Sequence, residues 1–204
     1  MMELNSKEII RRSMIDRCVY YIITAYNDII ATGKLVGQRP LEDIRRNQIA
    51  DFMIKNRRKY KFSNLITTES GSIEQETFKT KGRMDISIYS KGYEQKYISF
   101  ECKRFIKNTI SPKRIENAYF LDGLSRYADG KYNCEIGYGG MIAFLEEGDL
   151  NKLNKNIQKI FIKYCIDGYT DESSYYNHQY VYSTKIVNQN NSSVEIKHIV
   201  MSFI

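Results

Sequence analysis

The residues able to do chemistry gather in one stretch, RMDISIYSKGYEQKYISFECKRF. Its two apolar runs alternate cleanly and are joined by a connection short enough for a hairpin. Met84, Ile86 and Ile88 share one face, as do Ile98, Phe100 and Cys102. The other face therefore carries Asp85, Ser87 and Tyr89 from the first strand, and Tyr97, Ser99, Glu101 and Lys103 from the second. If the hairpin turns about Tyr93, Asp85 faces Glu101, Ser87 faces Ser99 and Tyr89 faces Tyr97, with the charged groups on a common wet surface. Directly opposed side chains have Cβ atoms only about 4.5–5.5 Å apart, and like charges there repel. A shared divalent cation offsets that repulsion, and carboxylate oxygens plus water suit Mg²⁺ or Mn²⁺. Lys103 can then reach a metal-bound water or a phosphate oxygen. For phosphodiester hydrolysis this set is coherent: the cation lowers the pKa of its water and neutralises growing phosphoryl charge, and the lysine orients or deprotonates the nucleophile. The plainer alternative is a surface hairpin with an exposed Glu101–Lys103 pair, worth less than about 1 kcal/mol.

Around this stretch the periodicity predicts the elements that must hold it. Residues 6–30 place Ile10, Met14, Cys18, Tyr21, Ile22, Ala25 and Ile29 at helical spacing, with Ser6 as a cap and Gly33 as a stop. A second helix begins at Pro40 and runs through LEDIRRNQIADFMIKN. At 100° per residue Glu42 lies within about 20° of Ile49 and Met53 and so faces the protein. It is either a functional acid or a first-turn residue favoured by the helix dipole. FSNLITTES, RMDISIY and KYISFECKRF predict a three-stranded meander, followed by a helix from Ser111-Pro112 to Gly130. GGMIAFLEEGD reads as a buried strand, and Asp149 opens a helix with Leu150, Leu153, Ile157, Ile160, Phe161 and Tyr164 on one face. QYVYSTKIV and SVEIKHIVMSFI close the chain as a hairpin.

Glu42 on a helix, Asp85 after KGRMD, Phe100-Glu101-Cys102-Lys103 in an apolar strand, then a helix and a buried strand, together resemble the PD-(D/E)xK nuclease superfamily. The resemblance implies a restriction-endonuclease-like α/β fold: a central mixed sheet flanked by helices in the order α-β-β-β-α-β, spanning about residues 40–145 of a single domain. An N-terminal helix and a C-terminal helix plus β-hairpin would be additions to that core. Carried over by residue, Asp85 and Glu101 would be metal ligands and Lys103 the catalytic lysine. The Cys102 carbonyl would be a further ligand and Glu42 a supporting acid, a place that Glu69, Glu74 or Glu76 could take instead. Met84 stands where a proline commonly precedes the aspartate. The function implied is Mg²⁺- or Mn²⁺-dependent cleavage of nucleic acid, DNA ahead of RNA, in bacterial defence or nucleic-acid processing. The rival is a non-catalytic nucleic-acid- or protein-binding module on the same fold.

Bulk properties agree with that partner. Lys and Arg total 31 against 24 Asp and Glu, for a formal charge of +7, which attracts polyanions through counterion release. Lys79, Lys81 and Arg83, just before Asp85, are the cations expected on the substrate. No separate recognition domain is evident, so specificity is expected from loops, a homodimer or a partner protein. The four cysteines lack metal-binding spacing and read as reduced thiols. His178 and His198 have no nucleophile partner and read as structural. GYGGM is not a phosphate loop, since no Lys-Ser/Thr follows. With no signal peptide and no apolar run near membrane length, a cytoplasmic protein is expected.

Overall fold

The apolar run YGGMIAFL forms β4 (Tyr138–Leu145), all eight residues of which are buried. A strand covered on both faces needs apolar side chains on both. The computed structural model describes residues 6–33, 42–73, 80–90, 93–132 and 135–204, and among them the strands form one seven-stranded mixed sheet. The meander appears as β1 (Leu65–Ile73), β2 (Thr80–Ser90) and β3 (Tyr93–Phe105), paired antiparallel. β3 runs parallel to β4, and β4 parallel to β7 (Ser193–Ser202). β7 pairs antiparallel with β6 (Val181–Val187), completing the expected closing hairpin. Beyond it lies an edge strand that hydropathy does not mark, β5 (Ile166–Asp171), whose residues are all exposed or half-buried.

Helices cover both faces. α1 (Ser6–Ala31) and α2 (Glu42–Asn56) pack Ile15, Ile22, Ile49 and Met53 against Ile86, Ile88, Phe100 and Cys102. On the other face lie a helical segment and α5 (Leu150–Tyr164). The segment comprises α3 (Pro112–Ile115), a π-helical stretch (Glu116–Leu124) and α4 (Ser125–Ala128). There Tyr119, Leu124, Leu153, Ile157 and Phe161 meet Met141 and Ala143. Asp149 caps α5 by accepting from the Lys152 amide at 3.1 Å, as its position predicts. Gly33 follows α1 in the left-handed region, φ 61°. One position on α1 differs from expectation. Ile10 is 69% exposed, because the buried stripe begins only at Met14 and Ile15. Pro40, the expected first residue of the second helix, lies outside the described residues, as does Cys134; Cys18 and Cys102 are buried free thiols. Among the described residues no helix is long and apolar enough to cross a membrane.

The glycines of GYGGM have a packing role. A Cβ on Gly140 would sit 2.1 Å from the Phe100 ring, and one on Gly139 would sit 2.3 Å from the Tyr127 ring. Bare backbone at these positions lets the two rings lie flat on β4, and through them β3 and α4 are held close.

His198, on β7, is fully buried between two hydroxyls, with Nδ1 2.9 Å from the Tyr119 OH and Nε2 2.8 Å from Thr184 Oγ1. Burial, and secondarily Lys197, pushes its pKa down from 6.5 to about 3. A depressed histidine means that the unfolded chain takes up a proton first, so stability falls as pH drops from 6.5 toward 3. At about 1.4 kcal/mol per pH unit, the loss between pH 7 and pH 5 is on the order of 2 kcal/mol. Urea unfolding of wild type and His198→Gln at both pH values checks this. The gap between them should narrow in acid, and a gap independent of pH would contradict the assignment.

Candidate active site

The antiparallel ladder between β2 and β3 has the expected pairs, with Ser87 facing Ser99 and Tyr89 facing Tyr97. The hairpin does not turn about Tyr93. Ser90 pairs with Tyr93 across a register shift after Tyr89, and the extra residues sit on β3. At its other end the described ladder stops at Ile86 opposite Phe100, one position short of Asp85 and Glu101. There the Asp85 carboxylate replaces a backbone partner: its Oδ2 accepts from the Cys102 amide at 2.7 Å.

Three elements bring acidic groups to this point. Glu42, at the start of α2, accepts from the Arg104 amide on β3 at 2.7 Å through Oε2. It thus faces the protein, as its helical angle predicts, and is tied to the strand bearing Glu101 and Lys103. Arg46, one turn later on the same helix face, donates from Nη1 to Asp85 Oδ1 at 2.9 Å. Glu101 receives Lys103 Nζ at 2.7 Å and Arg126 Nη1 at 3.0 Å on Oε1, and the Tyr132 hydroxyl on Oε2. Gly123 lies beside this group, and a Cβ there would crowd the Met141 methyl at 2.7 Å.

The expected wet surface is not what forms. Ser87, Ser99 and Glu101 are at most 1% exposed, because the helical segment from 112 to 128 lies over that face. The Glu101–Lys103 pair is consequently drawn in from the surface, Glu101 buried and Lys103 half-buried at 1% and 13% side-chain exposure, and the exposed surface pair of the plainer alternative is excluded. Burial raises the pKa of Glu101, with Lys103 opposing and Asp85 reinforcing the shift. Burial likewise raises Glu42, opposed by Lys103 and the Arg104 amide and reinforced by Asp85 and Glu101.

Oxygen donors of this kind suit a hard divalent cation, and like-charged carboxylates brought together need a counter-charge. Here Arg46, Lys103 and Arg126 supply it. Among the described residues no three His, Cys, Asp or Glu side chains stand close enough together to hold a metal ion. Carboxylate oxygens are the donor type that Mg²⁺ or Mn²⁺ takes, and those of Asp85 and Glu101 are turned here to Arg46, Lys103 and Arg126.

Asp85, Glu101, Lys103 and Glu42 are thus brought to one place. Cys102 joins them through its amide; an extended residue's N–H and C=O leave the same strand edge, so its carbonyl also faces the β2 side. Lys79, Glu74 and Glu76 lie outside the described residues, and Lys81, Arg83 and Glu69 outside those whose side chains are described. Sequence reasoning missed Arg46, Arg126 and Tyr132. For Arg46 a signal existed, since it follows Glu42 at the i,i+4 spacing of one helix face.

No protein-family model matches the chain, and neither does any curated protein or solved structure.

Proposed function

We propose that this protein is a metal-dependent nuclease of the PD-(D/E)xK type, hydrolysing phosphodiester bonds of nucleic acid, with DNA the favoured substrate. One observation carries the reading: Glu42, Asp85, Glu101 and Lys103 arrive from α2, β2 and β3 at the spot where the β2–β3 ladder opens. The succession α2, β1, β2, β3, helical segment, β4, with β3 and β4 parallel, supports it as a restriction-endonuclease-like core.

Asp85 and Glu101 would hold Mg²⁺ or Mn²⁺, helped by Glu42 and the Cys102 carbonyl. The ion would supply an activated water and counter-charge for the phosphoryl oxygens. Lys103 holds its ammonium against Glu101, where it can donate to the nucleophile or a phosphoryl oxygen and so orient the attack. Arg46, donating to Asp85 Oδ1 at 2.9 Å, holds that carboxylate in the gap between strands. The helical cover over Ser87 and Ser99 excludes water from behind the site, which strengthens every charge interaction within it.

Incubation with supercoiled plasmid, linear duplex and single-stranded DNA, in Mg²⁺, Mn²⁺ or EDTA, tests the reading. Cleavage that needs the ion supports it. Intact DNA under every condition overturns it.

A second reading has an observation of its own. Asp85 and Glu101 are already paired with Arg46, Lys103 and Arg126, so the arrangement can persist without any ion, as in a non-catalytic nucleic-acid- or protein-binding module. Glu101→Ala separates the two. An enzyme loses cleavage while keeping binding, whereas a pure binder has no cleavage to lose.

A further inference from the structure

The turn RYADGKY places two side chains on Glu101 that the acid-acid-lysine pattern does not contain. α4 ends at Ala128, Asp129 donates its amide to the Ser125 carbonyl at 2.7 Å, and Gly130 takes the left-handed conformation at φ 64°. A glycine there ends a helix at no steric cost. The chain then doubles back, and the amides of Lys131 and Tyr132 reach the Arg126 carbonyl at 3.0 and 3.4 Å. Arg126 and Tyr132 become neighbours: Arg126 Nη1 donates to the Tyr132 oxygen at 2.9 Å and to Glu101 Oε1 at 3.0 Å, while Tyr132 donates to Oε2.

The two cations on Glu101 Oε1 differ in access. Lys103 is 13% exposed, whereas Arg126 keeps 32% of its side chain in solvent. Both described bonds of Arg126 leave from Nη1, so the fork formed by Nε and Nη2 takes no part in holding Glu101. A guanidinium fork matches two phosphate oxygens. Tyr132, 1% exposed, cannot reach a ligand and instead fixes where Glu101 and Arg126 sit.

We infer that Arg126 is a substrate-contacting residue that binds a backbone phosphate of the nucleic acid at the mouth of the site, with Tyr132 its positioning residue. The inference rests on the nuclease reading above. It divides labour between the cations: the less exposed Lys103 serves the nucleophile, and Arg126 takes the phosphate.

The test is binding of a fluorescent DNA duplex by the full chain in EDTA, where no metal-dependent cleavage competes, measured by anisotropy over a series of NaCl concentrations. Neutralising one phosphate contributes about 0.9 to the slope of log K against log salt. Arg126→Ala should weaken binding and flatten the slope by about one, Arg126→Lys should restore the slope, and Tyr132→Phe should keep it, because it removes no charge. Melting of each variant reports on folding separately. If Arg126→Ala has the wild-type slope, or if Arg126→Lys behaves like alanine, the assignment of Arg126 is overturned while the nuclease reading stands. If the wild-type protein binds no nucleic acid, both fall together.

Discussion

Lys103→Ala is expected to slow phosphodiester cleavage by about 10²–10³-fold, the usual worth of one positioned donor that stabilises charge in the transition state, with little loss of nucleic-acid binding. The variant is informative because it should fold. Glu101 would still hold Arg126 on Oε1 and Tyr132 on Oε2, so no buried carboxylate is left without a partner. Asp85→Asn should fail in the same assay for a different reason. Its remaining oxygen can still accept from the Cys102 amide, which keeps the gap between β2 and β3 in shape, but it no longer offers a full negative charge to a cation. Single-turnover cleavage of a labelled duplex in Mg²⁺, with melting temperatures alongside, measures both. Wild-type rates from both variants would remove the proposed chemistry, whatever the protein does with DNA.

The largest effect on stability should come from Glu146→Ala, at about 3–5 kcal/mol, the typical cost of leaving a buried charge unpaired. The Arg45 guanidinium and the Glu146 carboxylate, 1% and 2% exposed, meet in a two-pronged contact: Nε to Oε1 at 2.8 Å and Nη2 to Oε2 at 2.9 Å. Nη1 goes to Gln48 at 2.7 Å, and the guanidinium carbon lies 4.0 Å from the centre of the Phe203 ring. This contact locks α2 to the end of β4, and α2 also carries Glu42 and Arg46. Urea unfolding gives the number directly. Replacing both partners together, as Arg45→Met with Glu146→Leu, should recover much of the loss, since an apolar pair needs no charge compensation. A cost for Glu146→Ala no greater than that of a surface ion pair would show that the contact does not brace the helix.

The alternation of RMDISIY and YISFECK was enough to put Asp85, Ser87, Ser99 and Glu101 on one side, because side chains on a strand repeat every two residues and a slip of one would turn the isoleucines outward. A slip of two would not, so the pairing of Ser87 with Ser99 came from the assumed turn about Tyr93, and it survives because the extra residues of β3 lie on the turn side of Tyr97. Glu42 was legible for a similar reason: its helical angle alone aims it at Ile49 and Met53. β5 was not, since IDGYTD lies at a sheet edge and has no buried face to imprint a pattern. The burial of Glu101 also escaped prediction. An alternating strand shows which residues share a face, but whether that face meets water depends on the helical segment that packs over it.

Local order thus lay in the chain itself: helix and strand periods, the stops at Gly33 and Gly130, and the acid-acid-lysine set on one side of β2 and β3. The long-range partners came only with tertiary folding. Arg126 and Tyr132 reach Glu101 across 25 and 31 positions of sequence, and Arg45 reaches Glu146 across 101. Short-range periodicity follows from backbone geometry, which repeats within a few residues. Long-range charge pairing follows from which layers the hydrophobic effect presses together, and no local pattern encodes that choice.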